Sequence, residues 1–190
     1  VLAQTSGFAE GFRKVGAVPP YMGHLGGNIS YIQEPGYKLR AIANPYRVHQ
    51  VILEPLKKAC MITLKGIISD CTHDQDSGAK WAQKQLKRGL TVHAVDLSDA
   101  TNNIPLSHQI KALSLYFDMQ DRATNNIISY FCDIARAEWK TPEDKLVTWT
   151  RGQPLGLGPS FGVFALWHNT FLMACHRASK SKQPIQDSFR

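Results

Sequence analysis

The segment from Thr91 to Pro105, TVHAVDLSDATNNIP, constrains the fold most because three kinds of local structure follow one another in it. Its first residues, Thr91–Leu97, are rich in β-branched and apolar side chains and predict a short buried strand. Asp96 stands near the carboxyl end of this strand, and a small polar turn follows at once. Pro105 lies where a helix could begin, since the first helical turn needs no N–H from proline. A carboxylate in this position can hold a metal ion against a phosphate, although a lone Asp there more often caps the turn.

Composition indicates a globular chain with a basic surface. The 190 residues are 43% hydrophobic, which suffices for one domain or for a large and a small lobe. No apolar run approaches the ~20 residues that span a bilayer, and no signal peptide is visible. The formal net charge of +7 favours a polyanionic partner, and four cysteines without CxxC spacing favour reduced, intracellular thiols over a zinc site. Because the chain begins with Val1 and ends at Arg190 without a closing element, we expect a piece of a longer protein.

Residues 1–37 are rich in Gly and Pro and predict mostly loop with short strands. The run from Tyr37 to Ala43 then alternates as a strand, with Lys38 and Arg40 on one face, and Asn44-Pro45 stops it. Two cations two residues apart suit a triphosphate, because Arg grips phosphate oxygens with a bidentate fork. A solvated charged face is an equally good interpretation of the pattern alone.

The middle of the chain predicts helices separated by a polar loop. A helix is expected over Tyr46–Leu64, with a kink near Pro55. Ser69–Asp76 is irregular, and Asp76 or Ser77 is expected to cap a short helix that carries Trp81 and Leu86 and ends at Gly89. His73, beside acidic residues, could ligate a metal, but a structural hydrogen bond in the loop is favoured.

The last part of the chain predicts two helices, a strand and a glycine-rich loop that runs into a helix. The first helix presents an apolar face from Leu106 to Phe117, and the second covers Ala123–Trp139 with three inward side chains: Ile128, Phe131 and Ala135. Lys145–Thr150 alternates as a strand. The loop before Ser160 offers backbone N–H groups to phosphate or ribose oxygens, but it fits neither the P-loop nor the Rossmann pattern, and such loops are more often only turns.

Four of these segments occur together in one known family. YKLRAIANPYR, SDCTHDQDSG, VDLSDATN and GQPLGLGPSFGVFALWHN resemble segments of the levivirus, narnavirus, mitovirus and botourmiavirus RNA-dependent RNA polymerases. The resemblance extends from about Gly23 to Cys175 and gives the order of motifs F, A and B. It implies an α+β fold, the fingers and palm of a right-hand polymerase, with an antiparallel RRM-like palm sheet packed on helices. Residues 1–90 would be fingers, with the motif F strand at about 37–47; residues 91–190 would be the palm core, with motif A at 91–105 and motif B at 151–178.

The resemblance also implies roles for single residues. Asp96 would be the catalytic metal ligand and, in the complete enzyme, help to hold two Mg²⁺ or Mn²⁺ ions. The residues implied at the incoming nucleotide are Lys38, Arg40, Arg47, Asn102, Gly156 and Ser160. Those implied at the RNA are Arg151, Gly152 and Gln153. Many relatives carry Asp where this chain has Asn102, so a neutral amide would sense the ribose 2′-hydroxyl here.

The family's Gly-Asp-Asp motif, which supplies further metal carboxylates, does not occur in the 190 residues, and a thumb is missing as well. We therefore expect the chain alone not to polymerise. The implied partners are an RNA template, the nascent strand and nucleoside triphosphates, inside the host cell in cytosol or mitochondria. A reverse transcriptase is the alternative enzyme, but those enzymes usually carry a bulky aromatic where Ala100, Thr101 and Asn102 are small and polar. A non-catalytic RNA-binding relic of a viral polymerase is the alternative from another class.

Overall fold

The structure, a computed structural model, describes residues 25–181. This part of the chain begins with a long antiparallel hairpin. Strand β1, Leu25–Glu34, pairs with β2, Lys38–Pro45, with Glu34 opposite Lys38 and Gly27 opposite Pro45. The strand expected from Tyr37 is thereby confirmed. The expectation of mostly loop with short strands up to residue 37 is wrong for residues 25–34, which form one ten-residue strand, and its first 24 residues lie outside the described range. Gly26 and Gly27 suit β1 because other parts of the chain approach them too closely for a side chain.

The sheet has the order β2-β1-β3-β4 and is mixed. Strand β3, Glu138–Lys140, runs parallel to β1, and β4, Leu146–Val147, runs antiparallel to β3. The α+β class is therefore confirmed, whereas the RRM-like antiparallel palm sheet is not established by this mixed sheet. The strand expected over Lys145–Thr150 shortens to two residues. Trp139, expected in a helix, lies in β3 with its side chain fully buried against Gly26, where an added Cβ would come within 2.5 Å of the indole.

Six helices lie within the described residues: α1 Arg47–Lys65, α2 Gln75–Lys87, α3 Ala100–Asn103, α4 Leu106–Leu113, α5 Arg122–Ala135 and α6 Ser160–Ser181. Five of them match predicted helices, although α4 ends before Phe117 and α5 ends four residues before Trp139. Helix α3 lies in the segment expected to be a polar turn. Pro55 lies inside α1, and Pro105 is the N-cap of α4, as its sequence position indicated. Between residues 25 and 181 we find no helix with the length and hydropathy to cross a bilayer.

The main core is formed by α1, α4, α5 and α6 together with the glycine-rich loop. Leu56, Leu113, Phe131 and Leu166 are fully buried in it. The inward positions predicted on α5 are confirmed, since Ile128, Phe131 and Ala135 are all buried there. A second small cluster under the sheet contains Ile29, Ala43 and Trp139. These two clusters fix the frame against which the polar loops lie.

Two further predictions about local structure are wrong. Thr91–Leu97 is not a buried strand: the segment has no regular structure, and the side chain of Val95 is 84% exposed. A strand needs a hydrogen-bonded neighbour, and none pairs with this segment among the described residues. The cap of α2 is Asp74, whose carboxylate accepts a hydrogen bond from the Ser77 N–H at 3.2 Å, instead of Asp76 or Ser77.

Candidate functional site

The glycine-rich loop, residues 151–159, joins segments that are far apart in the sequence. Ala43 at the end of β2 donates its N–H to the carbonyl of Leu155 at 2.8 Å. On the other side, Gln153 donates its N–H to the carbonyl of Thr101 at 2.9 Å. The basic hairpin and the polar turn after Asp96 therefore hold the two sides of one loop through backbone hydrogen bonds.

Two glycines allow these close approaches. Gly152 lies under the polar turn, where an added Cβ would come within 2.6 Å of the carbonyl oxygen of Asn102. Gly156 has φ +117°, which side chains rarely adopt, and it lies directly against the carbonyl of Ala43. A side chain at either position would push the loop away from its neighbours.

Gln50 in α1 clamps the loop from outside. Its Nε2 donates to the carbonyl of Gly156 at 3.0 Å, and its Oε1 accepts from the N–H of Gly158 at 2.8 Å. One amide side chain thus satisfies a backbone acceptor and a backbone donor two residues apart. Sequence reasoning missed Gln50, because a single polar residue on a helix gives no periodic signal.

A buried amide pair holds the loop from inside. The Gln153 side chain is fully buried and donates through Nε2 to Gln109 Oε1 at 2.6 Å and to the carbonyl of Ser160 at 3.0 Å. Gln109 in turn donates to the carbonyl of Ile104 at 3.0 Å. Ser160 is 1% exposed, and its hydroxyl donates to the carbonyl of Pro154. In this closed loop the side chains of Gln153 and Ser160 face inward, so their contact with RNA or nucleotide, which stays a prediction, requires the loop to open.

Asn102, at the end of the polar turn, is held from two sides. Its Nδ2 donates to Asp99 Oδ1 at 2.6 Å, and its Oδ1 accepts from the indole N–H of Trp149 at 2.6 Å. Trp149 packs edge-on against the buried Trp139, with ring centroids 5.7 Å apart. Asp99 adopts a left-handed conformation with φ +53°. The amide of Asn102 is therefore oriented by residues from the turn and, through Trp149, by the sheet.

Asp96 lies on the exposed segment before this turn. No hydrogen bond or ion pair to its carboxylate is found within residues 25–181, and the N-cap of α3 is Asp99. In the same range no three His, Cys, Asp or Glu side chains are grouped so that they could hold a metal ion. The described residues thus do not by themselves fit a divalent-cation site, and Asp96 offers an accessible carboxylate.

The side chain of Arg40 on the hairpin is exposed. Arg40 on β2 forms a two-point ion pair with Glu34, with Nε–Oε1 3.0 Å and a hydrogen bond of 3.1 Å from its terminal nitrogen to Oε2. Arg47 is exposed at the start of α1, and Arg151 is exposed at the start of the loop. The side chain of Lys38 lies outside the described part, although the residue itself belongs to β2. Glu34 engages two of the five N–H donors of Arg40, so a phosphate could bind the others or replace Glu34.

Comparison with known proteins decides the family. The model of the family described as Mitovirus RNA-dependent RNA polymerase matches residues 10–186. The chain belongs to the mitovirus RNA-dependent RNA polymerase family. It is also 30% identical over 159 residues, 83% of this chain, to an RNA-directed RNA polymerase of Cryphonectria parasitica mitovirus 1. The chain spans 18% of that relative's length. The resemblance read from the motifs is confirmed, and both the family model and this relative belong to the mitovirus group.

In this mitovirus-type chain the SDCTHDQDSG segment has a structural role. Asn169 of α6 donates to Asp70 Oδ2 at 2.8 Å, and Ser69 donates to Asn169 Oδ1 at 3.1 Å. His73 lies 3.0 Å from the carbonyl of Met61 through Nε2, which agrees with the structural role favoured for it. Ser69 and Asp70 thus tie the loop after α1 to α6, and His73 ties it to α1 itself.

Proposed function

We propose that this chain is the part of an RNA-directed RNA polymerase that binds the incoming ribonucleotide and the RNA beside the catalytic centre during viral genome replication. The observation that carries the proposal is the convergence of motifs F, A and B on one loop. They come from distant parts of the sequence, yet Ala43 and Thr101 are both hydrogen-bonded to residues of that loop. The family membership supplies the reaction class, and the convergence supplies a reason why these segments act together.

The nucleotide is proposed to lie between the hairpin and the polar turn. Arg40, with Lys38 and Arg47, would bind the triphosphate, because guanidinium groups bind phosphate oxygens by charge-assisted hydrogen bonds. Asn102 would contact the ribose, since its amide keeps one N–H and one lone pair beyond those used by Asp99 and Trp149. Gly156 and Ser160 would lie at the sugar once the loop opens, and Arg151, Gly152 and Gln153 would follow the RNA.

Asp96 is proposed as a divalent-cation ligand only together with acidic groups outside the described residues. Bound Mg²⁺ would neutralise charge on the triphosphate and on the departing pyrophosphate. Within this chain, the contribution of Asp96 is a carboxylate that is exposed and engaged by no neighbouring donor of the described residues. An aspartate whose carboxylate capped the turn would instead accept hydrogen bonds from the turn's N–H groups.

The test is primer extension on an RNA template by the full-length polymerase that contains this chain. We expect incorporation of ribonucleotides and strong discrimination against deoxyribonucleotides. Preferred incorporation of deoxyribonucleotides would favour the reverse transcriptase. A folded full-length protein that binds RNA without extending any primer would favour the non-catalytic relic.

Fractionation of infected host cells would test the proposed intracellular location, in cytosol or mitochondria.

A further inference from the structure

Helix α2 differs from α1, α4 and α5 because it buries no residue. All thirteen of its residues are intermediate or exposed, whereas α1, α4 and α5 each bury several apolar side chains. A helix without a buried face gains little from packing. A partner that covers part of it would therefore explain its sequence better than the core does.

The cations of this helix fall on one side. Lys80, Lys84 and Lys87 of the helix and its C-cap residue Arg88 recur at spacings of four, three and one, which places them within an arc of about 100°. All four are exposed, and no acidic residue interrupts the run from Lys80 to Arg88. Among the described residues no carboxylate pairs with these lysines, whereas Lys57 and Lys58 pair with Glu54 and Lys140 pairs with Asp144.

Trp81 lies at the border of this basic arc. It follows Lys80 and is one helical turn from Lys84, and its side chain is 62% exposed. Gly78, on the other side of α2, lies against the loop that precedes the helix, since an added Cβ there would come within 3.0 Å of Cys71 Sγ. An exposed indole beside cations, away from the core, suits stacking with a nucleic-acid base.

We propose that this basic face of α2, formed by Lys80, Trp81, Lys84, Lys87 and Arg88, binds single-stranded RNA. The lysines and the arginine would contact phosphates along about 12 Å of the helix, and Trp81 would stack on a base. The proposal rests on the proposed function for its RNA source, the template or the product of the polymerase. It extends that function to a surface outside the glycine-rich loop. RNA binding there requires neither a metal ion held by acidic residues nor a bound nucleotide.

An anionic membrane surface is the competing partner for a basic helix. Membrane-surface helices bury a continuous apolar face opposite their cations. The two large exposed apolar side chains of α2, Trp81 and Leu86, are five residues apart and point about 140° away from each other. They do not form one apolar face, and for this reason the RNA is favoured.

The experiment measures binding of a labelled single-stranded RNA to the full 190-residue chain by fluorescence anisotropy over a range of salt concentrations. The test variant is Lys80→Ala/Lys84→Ala/Lys87→Ala. The matched control, Lys58→Ala/Lys111→Ala/Lys145→Ala, removes the same charge from three separate places. Each phosphate contact contributes about 0.7 to the slope of log K against log salt, so the test variant should lose about 2 from that slope. The control should keep the slope of the unmodified chain.

Trp81 provides a second measurement that does not depend on the triple variant. Trp81→Ala should weaken RNA binding about tenfold without changing the salt slope, and Trp81→Phe should restore most of the loss. In the unmodified chain, photo-crosslinking to RNA containing 4-thiouridine should label the peptide that carries residues 79–88. This crosslink remains informative if the triple variant does not fold.

Equal loss in the test and control variants would overturn the proposal, because it would mean attraction by net charge alone. Crosslinks confined to other peptides would overturn it as well. Binding of the unmodified chain to phosphatidylserine vesicles, lost in the test variant while RNA binding persists, would assign the face to a membrane instead. All measurements are made without nucleotide or metal, so a failure of polymerisation leaves the result on α2 unaffected.

Discussion

At the scale of single residues, the Asn102–Asp99 pair carries a prediction about charge. Asn102→Asp would remove the N–H donor and place a second carboxylate 2.6 Å from the first. We expect the free energy of unfolding at neutral pH to fall by about 1–2 kcal/mol, from the lost hydrogen bond and the repulsion. The double change Asp99→Asn/Asn102→Asp should recover most of it, because Asn can donate to the new carboxylate and tolerates the left-handed backbone of position 99. Urea unfolding measures each value.

Asn103→Asp is the matched control for this pair. Asn103 lies on the same short helix, and its side chain donates to the backbone carbonyl of Asp99, away from the carboxylate. Asp99→Asn should therefore fail to rescue Asn103→Asp. Equal rescue of both variants would show that only the net charge of the turn matters.

Arg40 carries a prediction about nucleotide binding. In the full-length polymerase, Arg40→Ala should raise KM for the ribonucleotide and lower kcat/KM, because a phosphate contact is lost. Glu34→Gln removes the charge of its partner, so the same contact should be kept and KM should not rise. If both variants lower stability and leave the kinetics unchanged, the Arg40–Glu34 pair is structural.

His49 carries a prediction about pH. Its ring is buried, with Nδ1 2.7 Å from the Tyr130 hydroxyl and Nε2 3.1 Å from the carbonyl of Leu25. Burial lowers the pKa of His49 below the ordinary 6.5, and the hydrogen bond to Leu25 partly opposes this shift. The unfolded chain then binds a proton more readily than the folded chain. The contribution of neutral His49 to the free energy of unfolding is therefore fully present above about pH 6.5, and it should be lost as the pH falls through the folded pKa. Urea unfolding between pH 8 and pH 5 should show this slope, and His49→Gln should flatten it. A slope that persists in His49→Gln would assign it to other groups.

At the scale of elements, Gln50 decides how tightly the loop is held. Gln50→Ala should speed amide hydrogen exchange at Gly158, whose N–H loses its acceptor, by about tenfold or less, since one hydrogen bond contributes about 1 kcal/mol. Gln83→Ala, an exposed glutamine on α2, is the control and should leave the loop unchanged. Gln50→Glu keeps an acceptor for Gly158 and loses the donor to Gly156, so its effect should be intermediate. Unchanged exchange in Gln50→Ala would show that the loop is held without this clamp.

The elements that the sequence predicts well are those whose signal is local. The spacing of Ile128, Phe131 and Ala135 gave the buried face of α5, and Pro105 marked the start of α4. The failures depend on distant partners. Thr91–Leu97 has the composition of a strand but no hydrogen-bonded neighbour in the described range, and Trp139 leaves its expected helix because Gly26 of β1 provides its packing site. Pairing and packing of this kind are properties of two segments, which a local pattern does not contain.

At the scale of the whole molecule, the site likewise has parts that the local sequence predicts and parts that depend on distant residues. The polar turn, the basic strand and the glycine-rich loop are visible as motifs, and their convergence is consistent with one site. Their supports are not visible: Gln50 holds a loop more than a hundred residues away, Gln109 holds Gln153, and Trp149 orients Asn102. These contacts join residues 44 to 108 positions apart, and only the folded chain brings them together.

The most direct test of the account is RNA synthesis by the full-length polymerase carrying Asp96→Asn. Asn keeps the size of the side chain and can still accept a hydrogen bond in a turn, but it lacks the charge that binds a divalent ion. Asp118→Asn is the control, because Asp118 is an exposed aspartate that accepts the N–H of Gln120 at 2.9 Å in a turn. We predict that Asp96→Asn lowers nucleotide incorporation by about a thousandfold or more, with unchanged or higher thermal stability without metal, and that the control keeps near-normal synthesis. Near-normal RNA synthesis by Asp96→Asn at ordinary Mg²⁺ would contradict the role given to Asp96.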